Sequence, residues 1–91
     1  LVVTGEGKID AQTLHGKTIM GIASLAKKHS VPVLVFTGSI GHGISEIYDQ
    51  GVTAIFSIVS EPMSLETAIK NASELLKTSV TNVFTSLNTQ I

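Results

Sequence analysis

The sequence has no cysteine, no tryptophan and no arginine, and only two prolines, among its 91 residues. Without cysteine there are neither disulfides nor thiolate zinc sites, and a cytoplasmic location is the natural expectation. A net charge of −1 without arginine does not provide the basic surface that nucleic-acid binding requires. Apolar runs are too short to cross a membrane, and the first residues lack the basic start of a signal peptide. We therefore expect no nucleic-acid or membrane partner.

The composition is apolar for so short a chain. Hydrophobic residues make up 43% and charged residues 14%, and the mean hydropathy is +0.38. A domain of this size leaves much of its surface in water, so we expect more polar residues if it stood alone. The chain also begins without Met, within an apolar run. These features predict a fragment whose apolar faces are covered by the remaining N-terminal part of its own chain. A homo-oligomer is compatible with the same composition.

Short apolar runs alternate with amphipathic segments along the whole chain. This β-α-β-α-β-α order predicts an α/β fold with a parallel sheet and right-handed crossovers, in a three-layer, Rossmann-like arrangement. Three strands leave two open edges, which again indicates missing neighbours. The predicted strands cover about residues 1–4, 33–36 and 53–58, and the predicted helices about 17–29, 45–50 and 65–87, the last capped by Ser64.

Polar residues crowd together directly after the first two predicted strands. In open α/β sheets the ligand crevice lies outside the carboxyl ends of the strands, so we expect these groups to converge on one rim. The candidate site residues are Thr4, Gly5, Glu6, Gly7, Lys8, Asp10, Gln12, Thr13, His15 and Lys17, followed by Thr37, Gly38 and Ser39 after the second strand.

Two acids beside a lysine form the combination that magnesium-phosphate chemistry uses. Carboxylates such as Glu6 and Asp10 bind Mg²⁺ through oxygen, and a lysine such as Lys8 neutralises phosphate charge. Glycines at the same place let backbone N–H groups approach an anion. Each feature also has an ordinary structural interpretation: solvated charges, a hydrogen-bonded histidine and glycines that relieve tight turns.

Two nucleotide-binding motifs are excluded. Gly16-Lys17-Thr18 imitates the end of a P-loop, but the position that must be glycine is Ala11. The dinucleotide fingerprint fails as well, because Asp10 stands where its third glycine belongs. A small flavodoxin-like or receiver-like binding module is the alternative function. A receiver requires an acid at the end of a central strand, whereas Thr4, Thr37 and Ser57 stand at the ends of these strands.

Residues 4–17, TGEGKIDAQTLHGK, resemble the signature of the bacterial-type glycerate kinase family. The resemblance continues through Val31-Pro32-Val33, the Thr37-Gly38-Ser39 turn and the helix that follows Ser64, and it covers essentially the whole chain. Family members are several times longer. The resemblance implies that residues 1–91 form the C-terminal segment of a larger, discontinuous Rossmann-like domain.

The resemblance also implies an activity. Family members transfer the γ-phosphoryl group of ATP to D-glycerate with Mg²⁺, and the product is 2-phosphoglycerate or 3-phosphoglycerate. They are therefore phosphotransferases with an alcohol group as acceptor. We assign Glu6, Lys8 and Asp10 as candidate catalytic residues, with Glu6 and Asp10 as candidate magnesium ligands. Lys17 and the other candidates would contact phosphate or substrate. Without the N-terminal half of the site, the segment is expected to be inactive alone.

Overall fold

The computed structural model describes residues 1–88. Its three strands are all parallel and form one sheet in the order β1-β2-β3, which confirms the predicted α/β fold. The strands are β1 (Val2–Ile9), β2 (Val33–Ile40) and β3 (Ala54–Ser57). A 3₁₀ helix (Ala11–His15) and α1 (Thr18–Lys28) join β1 to β2, α2 (Ser45–Asp49) joins β2 to β3, and α3 (Leu65–Lys70) and α4 (Ala72–Asn88) follow β3.

The central strand β2 separates two packed layers. Its side chains Val33 and Val35 are fully buried in a cluster with residues of α1 and α2. Because side chains alternate along a strand, Leu34 and Phe36 point to the other face, which α4 contacts. There the rings of Phe36 and Phe56 stack with their centroids 5.3 Å apart. Helices therefore cover both faces of the sheet, in the Rossmann-like arrangement.

Strands β1 and β2 run several residues beyond the ends predicted for them. The ladder between them continues through Glu6 paired with Thr37, Lys8 with Ser39 and Ile9 with Ile40. The prediction that turns begin after Thr4 and Phe36 is therefore wrong. Residues 5–8 are exposed, so they carry no apolar signature, and backbone pairing with β2 holds them extended.

The predicted final helix begins where expected but is interrupted. The hydroxyl of Ser64 caps α3 by accepting a hydrogen bond from the Thr67 N–H at 3.1 Å, as predicted. Asn71 then departs from helical geometry, with φ −104° and ψ 13°. Its backbone N–H still donates to the Thr67 carbonyl at 3.0 Å, and its side-chain amide donates to the same oxygen at 3.1 Å. The single helix predicted over residues 65–87 is therefore two helices.

The last two helices leave apolar side chains in solvent. Neither α3 nor α4 contains a fully buried residue. Leu65 is 76% exposed and Ile69 67%, while Val3 of β1 is 46% exposed.

None of the described helices combines the length and the apolar character needed to cross a lipid bilayer.

Candidate active site

The carboxyl end of β1 opens into a recess of about 350 Å³, which we call the β1 recess. Glu6 and Lys8 are two positions apart in the strand, so they lie on the same side of it. The chain then passes through Asp10 into the 3₁₀ helix and reaches the start of α1. The lining residues are Glu6, Lys8, Asp10, Gln12, Thr13, Gly16, Lys17, Thr18 and Ile19.

Asp10 is held in place by a reciprocal capping box at the start of the 3₁₀ helix. Its Oδ1 accepts a hydrogen bond from the Gln12 N–H at 2.9 Å, and its own N–H donates to Thr13 Oγ1 at 3.1 Å. Oδ2 lies 3.7 Å from Lys8 Nζ. The Asp10 side chain is 28% exposed and that of Lys8 65%. The carboxylate thus has one oxygen fixed by the backbone and one turned towards a cation.

The turn at Asp10 is also tied to the segment that follows β2. The Gly41 N–H donates to the Ile9 carbonyl at 2.7 Å, and the Ala11 N–H donates to the His42 carbonyl at 3.0 Å. These bonds flank Asp10 on both sides in the sequence. His42 is not among the site residues predicted from the sequence. Its contribution is a backbone carbonyl, which no residue-type pattern reveals.

The N-terminus of α1 borders the β1 recess and has no side-chain cap from the residues that the structure describes. Helix N-termini attract anions through their backbone N–H groups and dipole. Lys17 occupies the N-cap position and Lys8 also lines the recess, so two cations accompany these amides. Sequence reasoning missed Gly16, Thr18 and Ile19 as lining residues. The available signal was a helix that begins without serine, threonine, aspartate or asparagine at its cap.

The other predicted site residues do not all reach the β1 recess. Gly7, Gly38 and Ser39 line a second recess of about 380 Å³, beside α3, which we call the α3 recess. The residues that follow the two predicted strands were expected to converge on one rim. They instead line two recesses, and Glu6 borders both.

Four candidates line neither recess. Thr4 and Gly5 lie within the β1–β2 ladder, opposite Val35 and Phe36. Thr37 is only 1% exposed, and its hydroxyl donates to the Ser39 carbonyl at 3.0 Å. His15 is exposed at the end of the 3₁₀ helix.

The acidic groups suit a metal that phosphate helps to bind. Among residues 1–88, no three Asp, Glu or His side chains come together as a metal site. Mg²⁺ is usually bound by one or two carboxylates together with water and substrate phosphates. Glu6 and Asp10 in a recess that also holds two lysines fit this donor set, and they do not fit a site made of protein ligands alone.

Comparison with known proteins identifies the family. The model of the glycerate kinase family matches residues 1–88. A glycerate kinase of Halalkalibacterium halodurans is 43% identical over 82 residues, which cover 90% of this chain and 22% of that protein. A glycerate kinase of Bacillus subtilis is 42% identical over 87 residues, covering 96% of this chain and 23% of the relative.

A glycerate 2-kinase of Escherichia coli is 39% identical over 72 residues, which are 79% of this chain and 19% of that protein. The chain thus spans about a fifth of the length of the curated relatives it matches. The match nevertheless runs through every described strand and helix, including the lining of the β1 recess. The chain belongs to the glycerate kinase family.

Proposed function

We propose that this chain is the C-terminal part of a glycerate kinase that transfers the γ-phosphoryl group of ATP to a hydroxyl of D-glycerate with Mg²⁺. Family membership supports the activity. The chain spans only about a fifth of the length of its relatives, which supports the view that the working protein is longer. A binding module of flavodoxin-like or receiver-like type has no comparable support. Use of ATP would place the enzyme in the cytoplasm.

The observation that carries this proposal is the β1 recess. It brings together two carboxylates, two lysines and the N-terminus of a helix. Phosphoryl transfer needs little covalent chemistry from the protein, because positioning and neutralisation of charge account for most of the catalysis. Lys8, Lys17 and the amides of α1 would bind phosphate oxygens or the glycerate carboxylate. These groups reduce repulsion between substrates that are both anionic.

The carboxylates would bind the metal ion and accept a proton. Asp10 and Glu6 would hold Mg²⁺, which when bound would neutralise charge on the phosphates. As a general base, either carboxylate would also accept the proton of the attacking hydroxyl. Asp10 is the stronger candidate because its Oδ1 is fixed by the Gln12 N–H, leaving Oδ2 turned towards Lys8 in the recess.

The test is Asp10→Asn in the full-length polypeptide. Asparagine caps helices as well as aspartate, so the fold should keep its stability while the charge is lost. Because a positioned acid or base contributes about 10²–10⁴-fold, we expect turnover of D-glycerate to fall by at least about 100-fold. The measurements are the rate of phosphoglycerate formation and the melting temperature.

The matched control is Asp49→Asn, on the exposed end of α2, which should leave both quantities unchanged. Turnover of the Asp10→Asn variant within about threefold of the unmodified enzyme would exclude the role given to Asp10, since a general base contributes far more. Absence of glycerate phosphorylation by the unmodified full-length protein would exclude the activity itself.

A further inference from the structure

The segment after β2 packs against the Asp10 turn so closely that side chains are excluded from it. A Cβ atom on Gly41 would lie 2.9 Å from the Asp10 Cβ and 3.6 Å from the Ile9 carbonyl oxygen. A Cβ on Gly43 would lie 2.9 Å from the Ala11 Cβ. Contacts under 3.0 Å require one partner to move. Gly43 also has φ +75°, a conformation that favours glycine.

We propose that Gly41 and Gly43 are positioning residues that set the place of the Asp10 carboxylate relative to Lys8 and Lys17. This inference rests on the proposed kinase function and adds to it a second segment that acts through Asp10. The two backbone hydrogen bonds from Gly41 to Ile9 and from Ala11 to His42 fasten the same contact. The glycines therefore serve the β1 recess without lining it.

The nearest atoms that added side chains would meet belong to Asp10 and to its neighbour Ala11. The atom nearest to the added Gly41 Cβ is the Cβ of Asp10 itself, so Asp10 must move wherever the Gly41 segment keeps its place. At Gly43 the displaced residue is Ala11, the neighbour of Asp10 and the first residue of the 3₁₀ helix. Displacement of a reacting group by about 1 Å can lower a rate by about 100-fold.

Gly51 provides the matched control. It has φ +117°, and an added Cβ would collide with the backbone carbonyl of Ala23 in α1. Its substitution is therefore at least as strained as that of Gly43. It lies at the other end of α2, however, and lines neither the β1 recess nor the α3 recess.

The experiment compares Gly41→Ala, Gly43→Ala and Gly51→Ala in the full-length polypeptide. We expect the first two to lower kcat by about 10- to 100-fold, with a smaller change in KM for ATP, because Lys8, Lys17 and the amides of α1 keep their places while Asp10 is displaced. Gly51→Ala should lower the melting temperature at least as much while keeping kcat. Equal losses of kcat in all three variants would overturn the proposal.

Two further variants separate positioning from general instability. Ala11→Gly removes the atom that the Gly43→Ala side chain meets, so the double variant should recover kcat at least in part. In an Asp10→Asn background, Gly43→Ala should have little further effect on kcat, because both changes act through the same group. Independent, additive losses in this background would contradict the inference. These comparisons remain possible when one single variant folds poorly.

Failure of the inference is distinguishable from failure of the proposed function. If Asp10→Asn abolishes turnover but Gly41→Ala and Gly43→Ala do not lower it, the function stands and the positioning role is wrong. If the unmodified protein does not phosphorylate glycerate, crystal structures of the variants decide the inference. A displaced Asp10 relative to Lys17 in Gly43→Ala would support it, and an unchanged Asp10 would overturn it.

Discussion

The two carboxylate oxygens of Asp10 have different neighbours. Its Oδ1 completes a capping box with Gln12 and Thr13, whereas Oδ2 is turned towards Lys8. The sequence identified Asp10 as a candidate because an acid close to lysines and glycines follows an apolar strand. The capping role was not predicted, because the 3₁₀ helix at residues 11–15 has no apolar periodicity to reveal it.

Lys8 tests whether charge in the β1 recess serves activity or stability. Its ion pair with Asp10 is 3.7 Å long and the Lys8 side chain is 65% exposed, so the pair should contribute less than about 1 kcal/mol to folding. We expect Lys8→Met in the full-length polypeptide to lower kcat/KM for ATP by about tenfold or more, as loss of a charged contact to phosphate would. Steady-state kinetics and thermal unfolding measure the two effects.

Lys28→Met is the control for Lys8, since Lys28 is an exposed cation in the last turn of α1, away from the β1 recess. It should change neither quantity. If Lys8→Met reduced the unfolding free energy by several kcal/mol and left kcat/KM unchanged, the lysine would be structural. That result would contradict both the small contribution expected from the exposed ion pair and the proposed contact of Lys8 with phosphate.

At the scale of elements, the apolar portions of the sheet were predictable and the polar portions were not. Val33 to Phe36 form a continuous apolar run, and each is buried in the central strand. Residues 5–8 continue β1 with exposed glycines and charges, so only pairing with β2 reveals the strand. The same extension explains the divided site. As strand residues, Gly38 and Ser39 lie beside the α3 recess and do not form a turn over the β1 recess.

The spacing of β1 and β2 depends on a glycine at position 38. A Cβ atom there would lie 2.9 Å from the Gly7 carbonyl oxygen, which is backbone and cannot rotate away. We expect Gly38→Ala to reduce the free energy of unfolding by about 1–3 kcal/mol, as overpacking does. Gly7→Ala is the control in the partner strand, because nothing lies within 4 Å of its added Cβ. It should be neutral or slightly stabilising, through lower entropy of the unfolded chain.

Denaturant unfolding of both glycine variants in the full-length polypeptide measures the difference. Equal unfolding free energies for Gly38→Ala and Gly7→Ala would mean that the strands separate without penalty at this point. The close approach of the two backbones would then have no structural role.

At the scale of the whole molecule, the chain leaves apolar side chains exposed, as its composition indicated. The composition indicated too little polar surface, and α3 and α4 show where the apolar surface lies. Leu65 and Ile69 are one helical turn apart on α3, so they form one face beside the α3 recess. That the remaining N-terminal part of a longer chain covers this face stays a prediction, and the relatives do extend well outside the matched segment.

The double substitution Leu65→Ser with Ile69→Ser should have opposite consequences in two settings. In the isolated 91-residue chain both side chains face solvent, so we expect less self-association on size exclusion with light scattering and little loss of secondary structure. In the full-length polypeptide we expect the face to be covered. Burial of a leucine or isoleucine contributes about 1.5–3 kcal/mol, so the unfolding free energy should fall by about 3–6 kcal/mol there.

Lys70→Ser, on the same helix, should alter neither property, because a solvated lysine has no such cover to lose. The change of sign is the informative result, since only a neighbour absent from the isolated chain makes one substitution helpful in one setting and harmful in the other. A full-length variant with an unfolding free energy within about 0.5 kcal/mol of the unmodified protein, the range of ordinary surface substitutions, would show that α3 faces water there too. The apolar composition would then need another cause, and the proposed division of the domain between this segment and the rest of a longer kinase would lose its physical basis.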